Sequence, residues 1–150
     1  MNNRKLLDLE RGKQGELMAE DLFKYIYELS NCKLVKNESK FAIFDFEDSN
    51  SDIVVEVKCR NNNYNSYPTS MVGKNKIDWA FNNCKTPYFI FIFNDGSYYW
   101  KYNIEQYIVN KGGRKDRGKF ESSDYAYIDI KHLIKIEQGV PPLNPQIISI

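Results

Sequence analysis

Three residues carry the strongest chemical signal in the sequence: Asp45, and then Glu56 and Lys58 on one later segment. Side chains alternate faces along a strand, so Glu56 and Lys58 share a side, roughly 6–7 Å apart, while Val57 points into the opposite layer. If the chain turns about Asn50-Ser51, Asp45 comes opposite Glu56, where facing Cβ atoms approach to roughly 5 Å. Two carboxylates and an ammonium group then converge, a set that suits hydrolysis of a phosphodiester. Paired carboxylates are hard oxygen ligands for Mg²⁺, which accepts one or two of them and fills its other positions with water and phosphate oxygens. Such an ion lowers the pKa of a bound water and neutralises phosphate charge, while a lysine orients the nucleophile and stabilises the negative transition state. Asp52 competes for the role of second acid, but at strand rise it stands about 13 Å from Glu56, too far to share one ion. A Glu-x-Lys pair is also an ordinary solvated pattern on a strand, and for these three residues alone the two readings weigh about equally.

The elements that must position these residues are legible in outline. Met18, Leu22, Tyr25, Ile26 and Leu29 recur at helical spacing, which predicts a helix from about Glu10 to Leu29, ended by Ser30-Asn31. Strands are expected near Lys33–Lys36, over Phe41–Phe46 and over Ile53–Lys58, with Glu47–Ser51 as the turn before the last of them. The polar segment Asn61–Pro68 predicts a loop, and Lys74–Asn83 a helix with Ile77, Ala80, Phe81 and Cys84 facing inward. Tyr88–Phe93 is an uninterrupted apolar run of strand length, as expected of a central strand covered on both faces. Asn94-Asp-Gly96 forms a hairpin turn into Ser97–Tyr102. A short helix over Ile104–Val109, a glycine-rich basic loop over Lys111–Lys119, a strand over Tyr125–Ile130 and an amphipathic piece over Leu133–Ile136 complete the chain. The predicted class is α/β, a central mixed sheet flanked by helices, in one domain spanning residues 1–150.

Composition narrows the partners. The chain has 150 residues, 42% hydrophobic, with eleven Tyr and nine Phe, enough for a substantial core. A net charge of +1 excludes a polycationic coat, so any nucleic-acid contact must come from local clustering. Cys32, Cys59 and Cys84 are odd in number and form no CxxC, which disfavours a disulfide framework or a zinc knuckle and points to a reducing, intracellular setting. The charged N-terminus lacks the apolar stretch of a secretory leader, and no run approaches the roughly 20 apolar residues that cross a bilayer. His132, the only histidine, has no nucleophile pattern around it. Gly12-x-x-Gly15 lacks the downstream residues of a phosphate-binding loop. Tyr98, Tyr99, Trp100 and Tyr102 suit core and sheet surface better than base stacking. Arg60, Lys111, Arg114, Lys115, Arg117 and Lys119 are candidate phosphate contacts, with a mobile charged loop an equal reading for the last five.

Together, Gly12-Lys-Gln-Gly-Glu16 on the first helix, Asp45, and Glu56-Val-Lys58 resemble the PD-(D/E)xK nuclease superfamily, to which restriction endonucleases and archaeal-type Holliday junction resolvases belong. The resemblance covers about residues 10–93 and implies a restriction-endonuclease-like αβββαβ core, here with additional C-terminal strands. It also implies a Mg²⁺- or Mn²⁺-dependent endonuclease. In its terms Asp45 and Glu56 would be metal ligands and Lys58 the catalytic lysine. Glu16 would be the helix acid supporting the metal or its water, and the Val57 carbonyl would face the metal. Lys76, rather than Lys74, would be the further lysine at the start of the following helix. Phe44 stands where the motif has Pro. Glu20 rivals Glu16, but Glu16 lies at the edge of the helix's apolar arc while Glu20 points further into solvent. The substrate implied is DNA, with recognition of DNA shape, as in a resolvase or repair nuclease, or action as a homodimer. A ribonuclease using the same residues and an inactive nucleic-acid-binding module on the same scaffold are the alternatives.

Overall fold

The computed structural model describes residues 3–39, 41–112 and 123–139. Helix α1 (Asn3–Leu22) leads through a 3-10 turn at Phe23–Tyr25 into the short α2 (Tyr27–Ser30). Strands β1 (Leu34–Lys36), β2 (Phe46–Asp48), β3 (Ile53–Cys59) and β4 (Thr69–Gly73) precede α3 (Lys74–Asn82). There follow β5 (Thr86–Phe93), β6 (Gly96–Lys101), β7 (Tyr107–Gly112), β8 (Ser123–Asp129) and β9 (Ile134–Lys135). Six strands form one mixed sheet in the order β1-β2-β3-β5-β6-β9, in which only β3 and β5 run parallel. A second, antiparallel sheet has the order β4-β8-β7.

The six-stranded sheet is covered on both faces. Alternation along β5 sends Phe89, Phe91 and Phe93 into a core with Ile77 and Ala80 of α3 and Val72, Ala126 and Ile128 of the second sheet. Tyr88 and Ile90 face the other way, into a core with Ala19, Leu22, Phe23, Ile26 and Leu29 of the N-terminal helices. A helix, a sheet, and a layer of one helix plus a smaller sheet therefore stack in that order, and the apolar run of β5 is central as its sequence predicts. Close packing holds the first helix down: a Cβ on Gly15 would lie 2.0 Å from Cys59 Sγ, so only glycine admits this approach of α1 to β3.

Several predicted elements are displaced, each for a local reason. The long helix starts earlier than Glu10, and Met18 is 47% exposed. It also ends at Leu22, because Phe23, Tyr25, Ile26 and Tyr27 are weak helix formers and Ile26 adopts an extended conformation that carries the chain across the sheet. The strand expected over Phe41–Phe46 begins only at Phe46. Phe44 packs in the core with α3 and Phe46 in the core with α1, and residues two apart on a regular strand cannot face opposite sides. Glu47 and Asp48, expected in the turn, belong to β2. Phe81 is 82% exposed and Cys84 exposed, against the inward orientation expected of both. The nine-residue α3 offers one buried face, Ile77 and Ala80, and Cys84 leaves the helix at a positive φ of 54°. The helix over Ile104–Val109 is a 3-10 turn at Ile104–Gln106, after which Tyr107, Ile108 and Val109 pair with β8 as β-branched and aromatic residues favour. Neither β4 nor the second sheet is anticipated. Within the basic segment Lys111 and Gly112 close β7, while Gly113–Lys119 lies outside the described residues, as does the proline-containing tail from Val140.

Candidate active site

The site forms where β2 and β3 run into the irregular segment before Phe46. Pairing of Phe46 with Val55 and Glu47 with Val54 continues outward to set Asp45 opposite Glu56, the register that a turn centred on Asn50-Ser51 requires. Asp45 is not itself in the ladder; its Oδ2 accepts a 2.8 Å hydrogen bond from the Val57 amide. Its backbone is pinned by Asn37, whose amide donates to the Asp45 carbonyl at 2.8 Å and whose side chain donates to the Phe44 carbonyl at 2.8 Å. Asn37 is a positioning residue missed in the sequence; its place one residue beyond β1 carries no pattern that would have marked it.

Glu56 alternates with Val55 and Val57, which face α1, so its carboxylate faces α3. It is only 6% exposed. Lys58 Nζ lies 4.0 Å from its Oε1 and Lys76 Nζ 2.9 Å from its Oε2. The Lys76 contact is a charge contact outside hydrogen-bond geometry, because Glu56 Oε2 is buried with no hydrogen-bond partner. Lys76 instead donates to the Ile43 carbonyl and stands over the Phe44 ring. One lysine thus ties α3, the segment before β2 and β3 together.

Electrostatics mark the carboxylate pair. Burial and then the neighbouring Glu56 push the Asp45 carboxyl up to about 6. Burial likewise pulls the Lys58 ammonium below its ordinary value; Glu56 opposes this, and Arg60 and Lys76 reinforce it. Two acids sharing a buried corner repel each other, and a cation between them would relieve that repulsion.

Asp45, Glu56, Lys58 and Lys76 are therefore brought together. Glu16 is half-buried and ion-paired to Lys36 at 2.8 Å, and Glu20 is exposed. Among the described residues no three acidic, cysteine or histidine side chains gather closely enough to hold a metal. Lys74 is engaged by Asp78 within its own helix, and Lys111 lies 3.7 Å from Asp124. Arg60, two residues beyond Lys58, donates to the Met71 carbonyl. Tyr99 and Trp100 are buried, as core residues are.

A family model described as "Phage putative PDDEXK endonuclease" matches residues 13–138. The chain belongs to this family. No curated protein and no solved structure matches it. Membership bears out the resemblance to the PD-(D/E)xK superfamily, and the mixed sheet with helices on its two faces is consistent with a restriction-endonuclease-like fold. A PDDEXK endonuclease family implies nuclease activity on nucleic acid, and PDDEXK nucleases generally use divalent metals. Among the described residues no helix is long and apolar enough to cross a membrane.

Proposed function

We propose that this chain is a Mg²⁺- or Mn²⁺-dependent endodeoxyribonuclease, one nuclease domain over residues 1–150, that cuts DNA inside the cell at sites recognised by shape. The observation that carries the reading is the pair of half-buried Asp45 and buried Glu56 with two lysines on Glu56, one Glu56 oxygen lacking any hydrogen bond. A buried acid short of donors is costly to a fold unless a ligand completes it. These residues fit a divalent ion, since Mg²⁺ needs only one or two carboxylates and takes water and phosphate for the rest.

Asp45 and Glu56 would hold the ion, with the Val57 carbonyl beside them and Glu16 reaching it through water after release from Lys36. Once bound, the ion would supply a more acidic water and a Lewis acid toward the phosphate. Lys58 would orient the attacking water in line with the scissile bond and donate to the phosphate oxygens as charge builds on them. Lys76 holds the Glu56 carboxylate in place and adds positive charge facing the substrate. The Val57 amide fixes Asp45 so that its second oxygen is left for the ion.

Cleavage of plasmid, linear and branched DNA, and of RNA, with Mg²⁺ or Mn²⁺ tests this. We expect nicking of DNA that Asp45→Ala and Lys58→Ala abolish; activity unchanged in both variants would sink the site assignment. One observation favours the inactive-module reading: Glu16 is engaged by Lys36, leaving two acids where the resemblance implies three. Calorimetry separates the two, because an inactive module binds DNA without Mn²⁺ and shows no Mn²⁺ binding for Glu56→Ala to remove. Sedimentation of the protein alone and on DNA tests the homodimer.

A further inference from the structure

Beyond the carboxylates, β3 leads into a cavity of about 380 Å³ lined by Arg60, Tyr64, Tyr67, Met71, Phe93 and Tyr127. This volume lies in the range of small-ligand sites. Its walls are fixed before anything binds. The Arg60 amide donates to the Ile92 carbonyl and the Asn94 amide to the Asn62 carbonyl, so the segment after β3 is stitched to β5. Tyr64 stacks on Tyr98 with ring centroids 4.1 Å apart, its hydroxyl donates to the Ile130 carbonyl at 2.7 Å and its amide to Asp95 at 2.8 Å. Tyr67, 64% exposed, forms the outer wall.

Among the described residues the guanidinium in this cavity meets no carboxylate. Arg60 is half-buried, donates to a backbone carbonyl and lies 6.0 Å from the Phe91 ring. A partly buried guanidinium without a counter-anion is unfavourable unless a ligand brings the negative charge, and its forked donors match a phosphate. Aromatic walls next to such a cation suit one ligand chemistry in particular, a nucleobase carrying its own phosphate. A base inside a duplex presents its faces to its neighbours and its edge to its partner, so only a base outside the stack can enter.

We propose that this cavity receives one unpaired nucleotide of the DNA strand next to the bond being cut, which makes the enzyme selective for DNA with a bulged, mismatched or displaced base. The proposal rests on the nuclease reading for its substrate, but the binding it describes needs neither metal nor cleavage. Arg60 takes the phosphate and Tyr67 covers the base.

Three DNA duplexes decide it, in EDTA: one with 2-aminopurine paired, one with the same base as a single bulge, and one with an abasic site in the bulge. The wild-type chain is expected to bind the 2-aminopurine bulge about tenfold more tightly than the other two, with its fluorescence quenched by stacking. Tyr67→Ala and Arg60→Gln, each with the wild-type melting temperature, are expected to lose that preference. Tyr67 is exposed, so its variant alone decides if Arg60→Gln unfolds. Equal binding of the three duplexes, or a preference that survives Tyr67→Ala, overturns the proposal. Plasmid cleavage in Mn²⁺ by the same preparation reports on the nuclease reading separately.

Discussion

Asp45 and Asp48 sit three residues apart around the same short strand, and the chain treats them in opposite ways. Asp48 is saturated: its carboxylate accepts from the Lys33 amide at 3.0 Å, the Asn50 amide at 3.2 Å and the Ser51 hydroxyl. The Ser51 hydrogen bond chiefly, helped by the two amides, holds its carboxyl below the usual carboxylate range. Asp45 accepts one backbone hydrogen bond, from Val57, which is outweighed by burial and then by the second acid it faces across the strands, so its carboxyl is raised to about 6. An acid that serves the fold is surrounded by donors; an acid left short of them, beside a like charge, is kept for something the polypeptide does not supply. Asp48 closes a turn, while Asp45 and Glu56 are the pair at which we propose a cation.

This contrast is broken or sharpened first by exchanging charge for an isosteric amide. Asp45→Asn and Glu56→Gln are each expected to lower DNA cleavage about a thousandfold, the scale of losing several kcal/mol of metal-supplied stabilisation, and to remove Mn²⁺ binding by calorimetry. Asp45→Asn should not lower the melting temperature, because it relieves a repulsion, whereas Glu56→Gln should lower it, because Lys58 and Lys76 lose their counter-charge. Lys58→Met is expected to reduce cleavage about a hundredfold at saturating metal while leaving Mn²⁺ affinity within about twofold, since its proposed role is toward the transition state and not the ion. Asp48→Asn should do the reverse of Asp45→Asn: cleavage retained, and the melting temperature lowered by a few degrees as its donors lose their charged acceptor. A larger loss of melting temperature in Asp45→Asn than in Asp48→Asn would erase the distinction.

Sequence pattern carried the site further than it carried the fold around it. Alternation along Ile53–Lys58 and a turn at Asn50-Ser51 were enough to bring Asp45 opposite Glu56, because strand geometry leaves little freedom once the turn is placed. Lys76 was legible only through the family resemblance, and the structure sets it on Glu56. What stayed hidden depends on partners distant in sequence. The irregular path before Phe46 exists because Phe44 and Phe46 enter different cores and because Asn37 and Lys76 take carbonyls that a ladder would otherwise use. The second sheet was hidden for the same reason: β4 is a five-residue segment whose partner strand begins fifty residues later, and Thr69–Gly73 shows no strong alternation of its own. The Lys36–Glu16 pair joins a helix to an edge strand and follows no local spacing rule.

The smallest expected effect is the one that isolates Asp45 without cleavage. Its folded-state pKa, about 6, stands above the roughly 3.9 of an unfolded aspartate. Between those values the folded chain keeps a proton that the unfolded chain has released, so stability must fall as pH rises from about 4 to about 6 and level off above. Because the side chain is only partly buried, solvent screening reduces the effect to about 1 kcal/mol. Chemical denaturation of wild type and Asp45→Asn across pH 4–7 isolates it, since all other titrating groups are common to both. The wild-type curve should drop relative to the variant through that window, and Mn²⁺ above pH 6 should restore the wild type alone. Parallel curves would mean that Asp45 is as comfortable in the fold as Asp48, and that the carboxylate pair holds no place for a cation.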